Sequence, residues 1–416
     1  MKKLHVLSLA AVLLMGLSAC GGDDTSTAPA SEPASTPTSE PASEVNPYAD
    51  LKVGLICLHG SYSTYDKNFI DAMTEVKDEL GFTLFISEDI DEGQECYDEA
   101  AALVDEGCDV IFADSFGHEP FMIQAAENFP DVVFCHATGT SAASENLDNF
   151  GDAFANIYEG RYLAGVVAGL RMQKDIQDGK YSADEAKIGY VGAFTYAEII
   201  SGFTSFYLGA RSVVPTATME VKYTGSWYDQ DAENSIALEL IDRGCKLISQ
   251  HADSHGAPQA CQSRGIPNVS YNGSTLEDGP TTFLVSSRIN WAPYYKYVLG
   301  QIVAGEKIAN DWSGGFAEGS VELSEFSDNC APGTAEYVAN VKAQLENGTL
   351  HVFDTSKFTV GAEEPSEANM KPGPATWADT GTLEFIAGGY YHESEYRSAP
   401  SFDVIIDGIT NLNTVF

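Results

Sequence analysis

The sequence predicts an α/β protein built from two similar lobes, each a parallel sheet with helices around it. From residue 53 onward, short apolar runs that suit buried strands alternate with helical patterns, and this alternation restarts at residue 187. A segment with a helix end, a glycine, a strand and a polar turn also occurs twice, at 105–117 and 242–256. Two such lobes enclose a cleft where the carboxyl ends of their strands face each other.

Each strand is predicted where an apolar run is short and is followed by turn residues. The first lobe has such runs at 53–58, 82–87, 109–113 and 132–136, separated by helical patterns around 69–80, 96–106 and 121–128. The second lobe has them at 187–191, 219–223, 246–250, 268–271 and 283–286, with helices between them. After about residue 348, prolines, glycines and the runs 382–386 and 402–406 predict a small β appendage.

The first twenty residues have the pattern of an export signal. Met1-Lys2-Lys3 is positive, the apolar run 4–17 is too short to span a bilayer, and Leu17-Ser-Ala-Cys20 follows. This resembles a bacterial lipoprotein signal, which implies cleavage before Cys20 and a lipid on its thiol. The alternatives are an uncleaved anchor or a plain secretory signal. The resemblance implies a protein anchored by lipid on the extracytoplasmic face of the cell membrane.

The predicted organisation follows from these patterns. The signal peptide covers 1–19, and the lipidated cysteine and a disordered tether cover 20–49, a stretch too polar to bury a core. Lobe 1 covers 50–155 with a return segment at about 291–355, lobe 2 covers 156–290, and the appendage covers 356–416.

Composition excludes several classes of function. Against 61 Asp and Glu the chain has only 22 Lys and Arg, a net charge of −39 that would repel a nucleic acid backbone. Phosphate-binding glycine loops and nucleophile elbows have no sequence match. We expect no cofactor and no enzyme, although absent motifs alone do not exclude an enzyme. No cysteines have Cys-x-x-Cys spacing, which leaves core packing as their favoured role.

His251-Ala-Asp-Ser-His255 is the nearest approach to a metal-binding pattern. On a helix the two histidines would share a face, but the segment follows a predicted strand. We therefore expect a polar binding loop here and no metal site.

Several ordered segments between residues 50 and 355 resemble the basic membrane protein family, the substrate-binding lipoproteins of ABC importers related to the purine nucleoside receptor. They are 113–117 (ADSFG), 136–139 (HATG), 158–165 (YEGRYLAG), 187–194 (KIGYVGAF), 208–213 (LGARSV), 226–229 (SWYD), 250–253 (QHAD) and 290–295 (NWAPYY). The order and spacing of these segments agree with the two-lobed prediction.

The resemblance implies a type I periplasmic-binding fold whose cleft captures a purine nucleoside or purine base and delivers it to an ABC permease. It implies a monomer without a cofactor. Two alternatives stay open at this point: a receptor of the same fold that reports ligand to a signalling partner, and a nucleoside hydrolase that uses Asp114 or His251 to activate water.

Aromatic residues are the implied stacking partners of the base. Phe69 occupies the place of the family's aromatic residue after strand one, with Tyr65 as the alternative, and Trp227 and Phe194 are candidates for the opposite face. A stacked base gains roughly 1–3 kcal/mol per ring, which suits this use of aromatic side chains. A core position at the start of its helix is an equally good interpretation of Phe69.

Polar residues at strand ends are the implied hydrogen-bonding partners. Asp114 and Ser115 in one lobe and His251 and Asp253 in the other follow equivalent strands. Carboxylates suit ribose hydroxyls and exocyclic amines because they accept hydrogen bonds from both. The alternative role for each aspartate is a helix N-cap.

The chain departs from the family pattern at two places. Asn272 stands where many members have the aspartate that grips a ribose, and an amide adds a donor and loses the charge. The lysine often found after the next strand is missing, with Arg288 and Asn290 the nearest candidates. Both departures concern the sugar portion of the ligand.

Two charged residues on the predicted crossover helix have a structural interpretation. Glu159 and Arg161 both lie in the segment 158–165. We expect them to pair with each other and to play no part in ligand binding.

Overall fold

The computed structural model describes residues 46–373, 377, 381 and 383–416. Residues 46–416 form one compact unit. The predicted signal peptide 1–19, the lipid on Cys20 and nearly all of the predicted tether 20–49 lie outside the described residues and stay predictions. Within the described ranges, no helix combines the length and apolar character needed to cross a bilayer.

Strands and helices alternate through most of the described chain. The strands are β1 (Lys52–Ile56), β2 (Thr83–Ser87), β3 (Val110–Ala113), β4 (Val133–Ala137), β5 (Phe150–Ala155), β6 (Lys187–Gly192), β7 (Thr218–Tyr223), β8 (Leu247–Gln250), β9 (Asn268–Tyr271), β10 (Phe283–Ile289), β11 (Asp311–Gly314), β12 (Val321–Leu323), β13 (Ile386–Ala387), β14 (Tyr390–Tyr391) and β15 (Ile409–Asn411). The helices are α1 (Thr64–Leu80), α2 (Gln94–Asp105), α3 (Glu119–Asn128), α4 (Ala142–Glu145), α5 (Ile157–Gln177), α6 (Ala197–Val213), α7 (Gln230–Asp242), α8 (Gly256–Arg264), α9 (Ala292–Ala304), α10 (Thr334–Glu346) and α11 (Glu367–Met370).

Two sheets with the same strand order form the two lobes. The first sheet runs β2-β1-β3-β4-β5-β11, and the second runs β7-β6-β8-β9-β10-β12 with β15 added outside β7. Every neighbouring pair in both sheets is parallel except β10 and β12. The prediction of a two-lobed α/β protein with parallel sheets is therefore confirmed.

The repeated segments 105–117 and 242–256 occupy equivalent places. Each contains the end of a helix, α2 or α7, followed by the third strand in its sheet, β3 or β8. The two polar turns that follow these strands therefore lie at corresponding edges of the two lobes.

The chain from residue 311 onward contributes to both sheets. Strand β11 closes one edge of the first sheet, whereas β12 and β15 both belong to the second. The predicted lobe boundaries stay predictions. The predicted strand at 402–406 is wrong, since these residues form no ladder, and β13 pairs with β14 instead. Of the other predicted run, residue 382 lies outside the described residues.

Helices α5 and α6 approach each other closely because glycines line their contact. A Cβ added at Gly165 would overlap the carbonyl oxygen of Phe206, and one at Gly209 would overlap the carbonyl oxygen of Tyr162. Each helix backbone thus packs directly on the other, and there is no flexible side chain at these points that could move aside.

Replacement of Gly165 by alanine should therefore destabilise the protein by about 2 kcal/mol or more, because the new methyl group overpacks a backbone contact. Gly300, inside α9, is the matched control, since a Cβ there meets no heavy atom within 4 Å. Gly300→Ala should stabilise by roughly 0.5–1 kcal/mol through helix propensity. Urea unfolding of both variants checks the pair, and equal effects of the two substitutions would contradict this packing.

Candidate functional site

A cavity of about 370 Å³, counting its mouth, lies between the two lobes. Both sheets present the carboxyl ends of their strands to it, as expected for parallel sheets. Its wall consists of Leu58, His59, Tyr65, Asp66, Ser115, Phe116, Thr138, Glu198, Trp227, His251, Asp253 and Tyr271.

The two lobes touch directly beside this cavity. Thr64, at the start of α1 in the first lobe, donates from its backbone nitrogen and from its hydroxyl to the carbonyl oxygen of Asp253 in the second, both at 3.1 Å. The rings of Phe116 and Tyr196 meet across the lobes at 5.4 Å. The structure is thus a closed arrangement of the lobes around the cavity.

The start of α1 positions two residues of the first lobe's wall. Ser63 caps the helix by accepting from the backbone nitrogen of Asp66, and the Asp66 carboxylate accepts from the backbone nitrogen of His59 at 2.7 Å. The Tyr65 hydroxyl donates to the carbonyl oxygen of Asp114 at 2.8 Å, which fixes the orientation of the ring.

Asp66 and Asp114 form a buried acid pair on the first lobe. Burial opposes the ionisation of Asp66, but hydrogen bonds from His59 and Ser63 hold its pKa below the usual range. Burial and the neighbouring Asp66 charge raise the pKa of Asp114 well above its usual value. Burial and the Asp66 charge thus favour the protonated form of Asp114 over that of Asp66.

Two clusters of described residues have the composition of a metal site, with ligand atoms within 4.8 Å of one another: Cys57, Asp66 and Asp114, and Glu119, His136 and Asp152. In the first cluster, Asp66 accepts from the backbone nitrogen of His59, and the raised pKa of Asp114 favours its protonated form, which is a poor metal ligand. In the second, the backbone nitrogens of Ser141 and Ala142 donate to Glu119 and Asp152, at 2.6 and 2.9 Å. Both clusters thus have hydrogen-bonding partners within the protein.

The second lobe supplies acceptors and rings. His251 bonds with Nε2 to a carboxylate oxygen of Glu198 at 3.2 Å, and its ring lies 4.5 Å from that of Tyr271. The backbone nitrogen of Asp253 donates to the carbonyl oxygen of Trp227 at 3.0 Å. Burial, reinforced by neighbouring carboxylates, raises the pKa of Asp253 well above its usual value.

The charge of the wall is distinctive. Three carboxyl groups (Asp66, Glu198 and Asp253) and two imidazoles (His59 and His251) line the cavity, and its described wall contains no lysine or arginine. Such a wall offers acceptors to a ligand that carries N–H or O–H donors. It disfavours an anionic ligand.

The stacking candidates separate into two layers. Tyr65 and Trp227 line the cavity, whereas Phe69 and Phe194 lie behind them. Phe69 packs on Tyr65 at 4.9 Å and stacks on Trp291 at 4.3 Å, and the edge of Phe194 meets Trp227 at 5.1 Å. The core interpretation of Phe69 thus matches its position.

The polar candidates are also divided. Ser115, His251 and Asp253 line the cavity, and Asp114 lies directly behind its wall. Neither aspartate caps a helix, because the residues at those N-cap positions are Ser115 and His255. His255 bonds to Asp278, away from His251.

Asn272 lies outside this cavity. It has a left-handed backbone with φ of 61°, and neither atom of its buried amide has a partner among the described residues. It contributes to a separate groove together with Lys67 and Arg288. Arg288 pairs with Glu322 at 2.6 Å there, so it does not replace the family's lysine in the cavity.

Sequence reasoning missed several residues of the wall. Thr138 and Tyr271 lie at the carboxyl ends of strands β4 and β9, where the parallel-sheet rule could have found them. Asp66 lies in the segment examined for Phe69. Glu198 lies in the first turn of α6, and no local pattern distinguishes it from an ordinary acidic residue at a helix start.

Comparison with known proteins agrees with this geometry. Residues 61–354 match the Bmp family, described as ABC transporter substrate-binding protein PnrA-like. A putative ABC transporter glucose-binding protein of Haloferax volcanii is 33% identical over 62% of this chain, and the match spans only 62% of that protein. A purine-binding protein of Brucella abortus is 33% identical over 73% of this chain and 83% of its own length.

A solved structure extends the agreement to the fold. A solute-binding protein of an ABC transporter system from Aeropyrum pernix superposes with a TM-score of 0.61, at 16% identity, over 73% of this chain and 93% of its own. Because the family match covers most of the two lobes, the chain belongs to the Bmp family of PnrA-like ABC transporter substrate-binding proteins.

Proposed function

We propose that the protein captures a purine base or purine nucleoside between its lobes and delivers it to an ABC permease. This proposal rests on the residues that line the cavity. The rings of Tyr65 and Trp227 lie there together with three carboxyl groups, and the described wall contains no lysine or arginine. A purine offers flat faces for stacking and N–H groups for the acceptors. The purine-binding relative of Brucella supports the same ligand class.

The charge of the cavity favours the uncharged members of this class. The absence of lysine and arginine from the described wall argues against a nucleotide, whose phosphate would meet no cation there. The position of Asn272 outside the cavity also removes one expected contact with a ribose, which favours the free base.

A sugar is the second candidate ligand. The relative of Haloferax volcanii is described as a putative glucose-binding protein. Carboxylates that accept from hydroxyl groups, beside aromatic rings, also suit a sugar. Direct comparison of purines with sugars therefore decides between the two classes.

The site supports binding rather than catalysis. Of the two groups that a nucleoside hydrolase could use, Asp114 is fully buried behind the wall, and burial raises its pKa well above the usual value. His251 has both ring nitrogens within hydrogen-bond distance of Tyr190 and Glu198. Neither group is free to activate water.

The proposed setting follows from the start of the chain. A lipid on Cys20 would hold a monomer on the extracytoplasmic face of the membrane, where a permease takes up ligand. The polar stretch after Cys20 would act as the tether. A receptor for a signalling partner would need the same cavity. A permease gene beside this one would favour transport, and a kinase gene would favour sensing.

Glu233 is a buried carboxyl group with a raised pKa that holds one turn of the site in place. It lies fully buried on α7, and its carboxylate accepts from the backbone nitrogens of Ser254, at 3.2 Å, and Asp229, so it anchors the turn that carries Asp253. Burial raises the pKa of Glu233 to about 7, although the hydrogen bonds from Ser254 and Asp229 oppose this shift. The anchor of the turn therefore changes charge near neutral pH.

Trp227→Ala should lower the affinity for a bound purine by about tenfold to hundredfold, because one stacking face is lost. Calorimetry on the purified protein with adenine and adenosine measures this effect. Trp312→Ala is the control, since Trp312 packs on Tyr294 away from the cavity and its loss should leave affinity unchanged. Unchanged purine affinity in Trp227→Ala would refute the stacked arrangement.

Glu233→Gln should make the free energy of unfolding fall less steeply as pH rises. The folded state holds the Glu233 proton up to a pKa of about 7, above the ordinary carboxyl value, so its contribution is complete at low pH and is lost as pH rises through 7. The glutamine keeps the acceptor without titrating, which should remove about 3 kcal/mol of pH dependence between about pH 4 and about pH 8.

Urea unfolding at several pH values measures this difference. Glu239→Gln on the same helix is the control, because Glu239 pairs with Lys222 at the surface and its replacement should leave the pH profile of the wild type. A Glu233→Gln profile parallel to that of the wild type would show that Glu233 does not titrate in this range.

A further inference from the structure

Arg161 is a buried cation without an acidic partner. Its side chain is completely inaccessible to solvent, and no carboxylate of the described chain forms an ion pair with it. The expected pair with Glu159 is wrong, because Glu159 instead accepts from the backbone nitrogen of Phe316 at 3.0 Å. A buried cation is costly unless its surroundings compensate it, so these contacts indicate its role.

The guanidinium lies beneath the second lobe's half of the cavity. It donates to the hydroxyl of Tyr190 at 2.7 Å, to the hydroxyls of Ser249 and Ser287 at 3.1 and 3.2 Å, and to the carbonyl oxygen of Gln250 at 3.3 Å. Its centre lies 5.0 Å from the ring of Tyr271, which lines the cavity. Arg161 thus reaches the back of the wall without touching the ligand space.

The bond from Arg161 determines what Tyr190 can do. A guanidinium only donates, so the Tyr190 oxygen is the acceptor in their contact. The single hydroxyl hydrogen of Tyr190 remains available, and Nδ1 of His251 lies 3.4 Å from that oxygen. In a neutral ring whose Nε2–H donates to Glu198, Nδ1 carries the lone pair, and the Tyr190 hydroxyl donates to it.

A neutral His251 then carries its hydrogen on Nε2. Burial lowers the pKa of His251, and the Arg161 charge adds to this effect although Glu198 opposes it, so the ring is neutral at neutral pH. The Nε2–H group points at a carboxylate oxygen of Glu198 at 3.2 Å and donates to it. The opposite tautomer would place two lone pairs against each other at this contact.

We propose that Arg161 is a positioning residue for ligand binding. Acting through Tyr190, it holds His251 as the Nε2–H tautomer. His251 in turn holds Glu198 so that its second carboxylate oxygen faces the cavity as an acceptor. The buried charge of Arg161 also balances the Glu198 carboxylate, to which it is linked through Tyr190 and His251. A ligand must therefore place an N–H or O–H donor against Glu198. Only this last step rests on the proposed function.

The nitrogen spectrum of His251 in the ligand-free protein tests the relay directly. In protein with ¹⁵N-labelled histidine, Nε2 should resonate as a protonated, pyrrole-like nitrogen and Nδ1 as an unprotonated one. Tyr190→Phe removes only the hydroxyl and leaves Glu198 as the one remaining polar side-chain partner of the ring, so a fraction of the Nδ1–H tautomer should appear beside the Nε2–H form. Tyr271→Phe is the matched control, because the Tyr271 ring also packs on His251 but its hydroxyl has no partner in the described chain, and the tautomer should be retained.

Arg161 itself is tested by two substitutions. Arg161→Lys keeps a charged group that only donates and should retain the Nε2–H tautomer, whereas Arg161→Met should give the mixture seen in Tyr190→Phe. For any ligand that the wild type binds, Tyr190→Phe should lower affinity about fivefold to tenfold, the effect of one weakened hydrogen bond.

Three results would overturn the proposal: an Nδ1–H tautomer in the wild type, a doubly protonated ring at neutral pH, or an unchanged tautomer in Tyr190→Phe. The tyrosine variant decides the matter even where Arg161→Met fails to fold. Because the spectrum is recorded without ligand, failure to bind purines leaves this test intact and refutes only the proposed ligand.

Discussion

The guanidinium of Arg161 ties the crossover helix α5 to the strands that form the second lobe's half of the cavity. It reaches Tyr190 on β6, Ser249 and Gln250 on β8, and Ser287 on β10. Without carboxylate partners, the charge is satisfied by hydroxyls, carbonyls and ring faces that must all stay in place. The carboxyl ends of these strands, from which the wall of the cavity extends, are therefore held to one helix by one side chain.

Most of the strand and helix order could be predicted from the sequence, because buried parallel strands are short apolar runs that need no knowledge of their neighbours. Strand β5 could not, since Gly151 and Asp152 interrupt its apolar character and Asp152 is buried only because it accepts from distant backbone groups. The run 402–406 has the apolar pattern of a strand, but its burial does not come from strand pairing. Phe402 is buried by stacking on Phe353 at 4.5 Å, while the backbone around it forms no ladder.

The candidate site could be predicted as far as its polar turns. Parallel strands bring their carboxyl ends to one edge, so Ser115, His251 and Asp253 could be assigned to the cleft before the fold was known. The stacking rings could not be chosen in this way, because Phe69 is withdrawn from the cavity by Trp291, a partner far away in the chain.

We propose that this closed, acidic cavity with aromatic walls binds a purine. A thermal-shift series on the purified protein, with purine and pyrimidine bases, nucleosides, sugars and amino acids, tests it most directly. A ligand at 100 times its dissociation constant adds about 2.7 kcal/mol of stability, which such a series detects. A purine base or nucleoside should raise Tm, and glucose should not. A rise with sugars or amino acids alone would show that the ligand is not a purine.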